Sequence, residues 1–147
     1  MKLRDVMTSP AIQIGAEESV EIAARQLAHY NIGAMPVCDK RGNLCGVITD
    51  RDLVTRCLAS GRSPAVTPVR DVMTTQVLSA RPDMDARSAA AMMGRSQIRR
   101  LPVMENGRLC GMVSLGDLAV REETGIEAAD ALGEISNSVS DRGEFRG

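Results

Sequence analysis

The sequence repeats itself, and this restricts its architecture more than any other feature. Arg4-Asp5-Val6-Met7-Thr8 returns as Arg70-Asp71-Val72-Met73-Thr74, and Met35-Pro36-Val37 returns as Leu101-Pro102-Val103. Leu44-Cys45-Gly46-Val47-Ile48-Thr49 returns as Leu109-Cys110-Gly111-Met112-Val113-Ser114. Asp52-Leu53 returns as Asp117-Leu118, and Arg56 as Arg121. The offset is about 66 residues and falls by one where the turn at Gly42 shortens at Gly107. Such a period defines a unit before any single residue is interpreted. Two copies, each too small to bury much core alone, are expected to press together and share a two-fold-related cleft.

Each copy reads in the same order. An extended lead-in, Ala11-Ile12-Gln13-Ile14 or Val77-Leu78-Ser79-Ala80, follows the Met-Thr step. A helix comes next. Val20, Ala23, Ala24, Leu27 and Ala28 recur at helical spacing after the cap Ser19, and Ala86, Ala89, Ala90 and Met93 do so after Asp85. A hairpin follows. Residues 34–38 and 44–49 flank Asp39-Lys40-Arg41-Gly42-Asn43, and the second copy turns at Glu105-Asn106-Gly107-Arg108. A second helix closes each unit, with Leu53, Val54, Cys57 and Leu58 as its apolar stripe in the first copy and Gly61 as its end. The expected organisation is α+β. It comprises two tandem βαββα-like repeats at 1–60 and 70–122, a linker at 61–69, and a C-terminal helix with a polar tail at 123–147. Residues 126–135 carry that helix, and 136–147 read as the tail.

The core must be aliphatic. Among 147 residues there is one Tyr, one Phe and no Trp, against nine Met. Aromatic platforms for single-stranded nucleic acid are therefore excluded, and a net charge of −1 supplies no basic field for a phosphate backbone. No apolar run reaches the roughly 20 residues of a membrane-spanning helix, and the N-terminus lacks a signal-peptide stretch. A cytoplasmic protein is expected, with no nucleic-acid or membrane partner. Cys38, Cys45, Cys57 and Cys110 form no CxxC pair and read as small buried hydrophobes of a reducing compartment.

No catalytic motif emerges. P-loop, GxGxxG, HExxH and GxSxG patterns are absent, and His29 is the single histidine. The expectation is a protein without catalytic residues, metal ligands or a required cofactor. What remains is the strand-to-helix junction, Gly46-Val47-Ile48-Thr49-Asp50-Arg51-Asp52 and Gly111-Met112-Val113-Ser114-Leu115-Gly116-Asp117. Either one alone fits a helix capping box, although that box prefers Glu or Gln at its third position. The same geometry also suits a nucleotide. A helix N-terminus favours anions, a hydroxyl adds a hydrogen bond, and an Asp one turn in accepts from two ribose hydroxyls. The glycine admits either a ligand or another backbone.

With both junctions, the Val-Met-Thr lead-ins and the Pro-Val strands in order, the sequence resembles a tandem pair of CBS domains, or Bateman module, over about residues 1–122. The resemblance implies an adenosine-containing regulatory ligand such as AMP, ATP, NAD or S-adenosylmethionine. Asp52 and Asp117 would then bind ribose hydroxyls, and Thr49 and Ser114 would contact phosphate or ribose. Ala34, Met35 and Pro36, with Arg100, Leu101 and Pro102, would hold the adenine. Ala11 and Val77 would line the opposite wall. The copies differ where Arg99-Arg100 replaces Gly33-Ala34. Those arginines read equally as an anion clamp or as a balanced surface pair. Asp50, beside Asp52, would disfavour polyphosphate or recruit a cation. Two unequal pockets are expected. A homodimer is expected as well, with Ala23, Ala24, Ala89, Ala90 and the C-terminal helix as interface material, signalling to an effector protein whose identity the sequence does not give. The alternative is a structural or partner-binding pair without nucleotide.

Overall fold

A computed structural model describes residues 1–121 and 124–142, with side chains as far as residue 136. It divides into two compact units. One holds Met1–Pro10, Leu78–Glu105 and the described part of Cys110–Gly147; the other holds Ala11–Val77 and the hairpin tip Asn106–Leu109.

The unit built on residues 11–77 has a three-stranded sheet in the order β1-β2-β3. Strand β1 (Ile14–Gly15) runs parallel to β2 (Ala34–Cys38), and β2 pairs antiparallel with β3 (Leu44–Thr49). Helix α1 (Val20–Tyr30) starts where Ser19 Oγ accepts from the Ile22 N–H, and it ends at Asn31 in the left-handed conformation. The last strand passes into a single α-turn, α2 (Asp50–Asp52), which widens into a π-helix over Leu53–Leu58. There the Ala59 N–H donates to the carbonyl of Val54, five residues back. The expected stripe is consequently narrower than its sequence pattern. Leu53 and Cys57 face the core, while Val54 and Leu58 are 56% and 59% exposed. The core joins Ile14, Val20, Ala23, Leu27, Met35, Val37, Ile48, Leu53, Cys57, Val69 and Val72.

The other unit repeats this plan. Helix α3 (Ala86–Ser96) is capped by Asp85, whose carboxylate accepts from the Ser88 N–H, and ends at left-handed Gln97. Strands β4 (Arg100–Glu105) and β5 (Arg108–Ser114) form a two-stranded sheet. Their turn has positive φ at both Asn106 (53°) and Gly107 (78°), the requirement of a two-residue I′ hairpin. Ala80 makes a one-residue parallel bridge to Val103, matching the Ile14–Val37 pairing. Helix α4 (Leu115–Ala119) is short, and α5 (Gly125–Arg142) packs on α3 and α4. The C-terminal helix thus extends past residue 135 into the segment read as a polar tail; residue 123 and residues 143–147 lie outside the described residues.

Helix α5 also corrects the expected dimer surface. Ala89 and Ala90 are fully buried, and a side chain on Gly94 would meet the Ala131 backbone at 2.8 Å. Ala128, Ala131 and Ile135 complete this unit's core. Ala23 is likewise buried in its own unit, leaving Ala24 exposed among the four alanines. Small residues on these helices serve close packing within a unit, so three of the four cannot supply an interface between copies. The cysteines depart from expectation too: Cys38 and Cys57 are buried, but Cys45 and Cys110 are only half-buried.

Each unit contains the lead-in of the opposite repeat. The Val69 N–H donates to Glu18 O (2.8 Å) and the Arg70 N–H to Ala16 O (3.0 Å), while the Val20 N–H donates to Thr67 O (2.9 Å). In the other unit the Leu3 N–H donates to Met84 O (3.0 Å), the Arg4 N–H to Pro82 O (2.9 Å) and the Ala86 N–H to Met1 O (2.8 Å). These are the same three bonds displaced by one repeat. The segment between repeats is therefore hydrogen-bonded structure: Pro64 O accepts from the Glu21 N–H (3.1 Å) and Ser63 O from the Thr67 N–H (3.1 Å).

Candidate functional site

Both junction glycines are seats for a backbone. A Cβ on Gly46 would lie 2.5 Å from Thr74 O, and one on Gly111 would lie 2.9 Å from Thr8 O. Over these glycines the lead-ins pair with the strands. Thr74 and Val47 exchange two backbone bonds of 2.9 Å, and Thr8 and Met112 exchange bonds of 2.8 and 3.0 Å. Of the two occupants the sequence left open, a ligand or a chain, the structure seats a chain at each glycine.

At the first junction the Thr49 hydroxyl accepts from the Asp52 N–H (3.0 Å), and Asp52 Oδ2 accepts from the Thr49 N–H (3.1 Å). This is a reciprocal capping box with Asp in the third position. The Thr74 hydroxyl adds a bond at 3.2 Å from either oxygen of Asp52, and Arg56 Nε lies 3.8 Å from Oδ1. Arg56 also donates to the carbonyls of Met73 (3.0 Å) and Val72 (3.4 Å). The Asp52 carboxylate is thus buried, at 5% residue exposure, and occupied by the protein's own donors. Asp50 is exposed and accepts from the Arg51 N–H, while its own N–H donates to Gly33 O. Ala34 sits opposite Thr49 in the β2–β3 register. Met35 and Pro36 are buried, Met35 in the core. Ala11 and Val77 belong to the same unit and are half-buried, with no hydrogen bond to the junction among the described residues.

The second junction is open. The Ser114 hydroxyl accepts from the Asp117 N–H (3.1 Å), and the Leu115 N–H donates to Arg99 O (2.9 Å). The return bond of the capping box is absent here. Asp117 is exposed, and among the described residues no hydrogen bond or ion pair engages its carboxylate. Arg99 is exposed and Arg100 half-buried at the start of β4, and neither carries an ion pair among the described residues. Leu101 and Pro102 are buried, Leu101 in the core. Thr8 stands where Thr74 does in the other copy, yet it is exposed and its hydroxyl makes no bond to Asp117; Ser9 beside it donates to Cys110 O (2.7 Å). Arg121, the counterpart of Arg56, is exposed.

Thr74 and Arg56 were therefore the site residues missed. Their signal was available, because both belong to repeated positions. Among the described residues no group of three or more His, Cys, Asp or Glu side chains converges to hold a metal, and no helix is long and apolar enough to cross a membrane.

The sequence profile described as the CBS domain matches residues 3–59 and 69–123. The chain is 38% identical to the CBS domain-containing protein YhcV of Bacillus subtilis over 135 residues, covering 92% of this chain and 95% of that one. Among solved structures, Hypoxic Response Protein I, crystallised with two coordinated zinc ions, superposes with a TM-score of 0.75 at 29% identity, covering 81% of this chain and 97% of that one. A protein of that name from Mycobacterium tuberculosis is 30% identical over 116 residues, covering 79% of this chain and 81% of that one. The CBS domain pair of MJ0100, in complex with 5′-methylthioadenosine and S-adenosyl-L-methionine, superposes with a TM-score of 0.72 at 28% identity, covering 81% of this chain and 93% of that one. With the profile matched twice along the sequence and a relative similar over nearly its whole length, the chain belongs to the CBS-domain family, as a tandem pair.

Proposed function

We propose that the chain is a regulatory sensor that binds an adenosine-containing ligand at the Ser114–Asp117 junction and signals its occupancy to an effector protein. The observation that carries this is the exposed Asp117 carboxylate. It has no partner among the described residues; the Ser114 hydroxyl caps its N–H, and Arg99, whose carbonyl accepts from the Leu115 N–H, is followed by Arg100 at the start of β4, neither in an ion pair among the described residues. An acceptor-only carboxylate suits a ribose diol, and guanidinium groups suit a phosphate or carboxylate on the same ligand. The adenosyl ligands bound by the CBS pair of MJ0100 support the same chemistry.

Titration calorimetry with S-adenosylmethionine, 5′-methylthioadenosine, AMP and ATP tests the reading. One of them should bind, and Asp117→Asn should weaken it at least about tenfold, as expected for loss of a charge-assisted hydrogen-bond pair. Silence from all four probes would sink the proposal.

The saturated Asp52 network favours a second role within the same chain. The first junction acts as a structural joint, the part that the alternative of a ligand-free CBS pair assigns to both junctions.

A further inference from the structure

We infer that Thr74 and Arg56 latch the first junction shut, so that each chain takes up one adenosyl ligand, at Asp117, and none at Asp52. This rests on the ligand-binding role proposed above and adds its stoichiometry and the residues that set it.

The argument begins with the acceptors. A ribose diol needs carboxylate lone pairs facing solvent. At Asp52 the Thr49 N–H and the Thr74 hydroxyl already point at the carboxylate, and Arg56 stands 3.8 Å from the outer oxygen. The side chain is 8% exposed. A ligand would have to displace Thr74, and Thr74 is not free to leave. Its N–H and C=O are both tied to Val47, and Arg56 clasps the two carbonyls that precede it. An intramolecular hydroxyl held in this way competes at an effective concentration in the millimolar range or above. A metabolite bound by weak contacts does not outcompete it.

The second copy lacks each part of the latch. The Thr8 hydroxyl makes no bond to Asp117, the Arg121 side chain makes no bond to the lead-in carbonyls or to Asp117 among the described residues, and the reciprocal cap is missing. Charge adds to the bias. Asp50 flanks the closed junction, whereas Arg99 and Arg100 flank the open one, so an anionic ligand favours the second. The closed junction trades recognition for rigidity, and Thr74 and Arg56 are the specificity-determining residues of the pair.

The test has two arms on the full chain. Calorimetry with the four probes named above should give one equivalent per chain, weakened at least about tenfold in Asp117→Asn. Two equivalents, or one equivalent of undiminished affinity in Asp117→Asn, would overturn the latch while leaving ligand sensing intact. The second arm needs no ligand. A double-mutant cycle of Asp52→Ala and Thr74→Val, followed by urea unfolding, should show strong non-additivity, because either change removes the same contact. Additive effects would overturn the latch even if no probe binds. Should Asp52→Ala fail to fold, Asp52→Asn replaces it in the cycle.

Discussion

The hydroxyl of Thr74 lies 3.2 Å from both carboxylate oxygens of Asp52, a residue of the preceding repeat. One side chain thereby joins a helix cap to the lead-in strand that crosses it. The equivalent pair, Thr8 and Asp117, makes no such bond. The two copies share a motif and differ in what it does.

Stability should report this difference. Thr74→Val leaves a buried carboxylate short of a donor and should cost about 1–3 kcal/mol. Asp117→Ala, at an exposed side chain, should stay within about 0.5 kcal/mol of the parent. Urea denaturation of the two variants measures the contrast, and equal losses would contradict it.

Glycine at the head of each junction is required by the chain that lies over it. Gly46→Ala would push a methyl to 2.5 Å from the Thr74 carbonyl, and Gly111→Ala would place one 2.7 Å from Met7 Sδ and 2.9 Å from Thr8 O. Both should destabilise by about 1–3 kcal/mol, with Gly46→Ala the worse because its nearest neighbour is backbone. Thermal melts of both variants decide the order.

The contact between α3 and α5 depends on Gly94. A methyl there would meet Ala131 at 2.8 Å from Cα and 2.9 Å from Cβ. Alanine raises helix propensity by about 1 kcal/mol over glycine, but α5 would have to shift to admit the methyl. Net destabilisation is expected, and hydrogen exchange should rise first in α5. Unchanged exchange there would show that α5 does not need this close approach.

Burial pushes the Cys38 thiol up from 9.0 to about 11, with Cys45 and Asp39 adding to the effect. The folded state therefore disfavours the thiolate relative to the unfolded chain. Stability from this group is fully present below about pH 9 and is lost as pH rises toward about 11. Iodoacetamide at pH 8 should leave Cys38 unmodified in the folded protein and alkylate it in urea. Mass spectrometry of the digest measures both states.

Much of the fold was legible because the repeat let every local signal be read twice. The caps at Ser19 and Asp85 lie where hydroxyl and carboxylate precede apolar helical spacing, and the Asn106-Gly107 turn follows from its demand for positive φ. The π-helix at Leu53–Leu58 was not legible, because the spacing of Leu53, Val54, Cys57 and Leu58 fits an ordinary helix equally well. The burial of Ala89 and Ala90 was hidden for a different reason. A small-residue face announces close packing but not whether the partner is another copy or, as here, α5. At the junctions the sequence singled out Thr49, Asp52, Ser114 and Asp117, and the hydroxyls of Thr49 and Ser114 cap the helices that follow. It could not tell a carboxylate facing solvent from one facing Thr74, since that depends on contacts 22 residues apart.

The crossed lead-ins put inheritance and folding out of step. The repeat written in the sequence is one object, and the globule that folds is another, assembled from parts of both. The arrangement is that of a domain-swapped dimer whose subunits have been joined end to end. A polypeptide holding one repeat alone would leave Gly46 or Gly111 as a bare, unpaired strand edge, open to the lead-in of any second copy. Tandem duplication supplies in cis the strand that lies over each glycine.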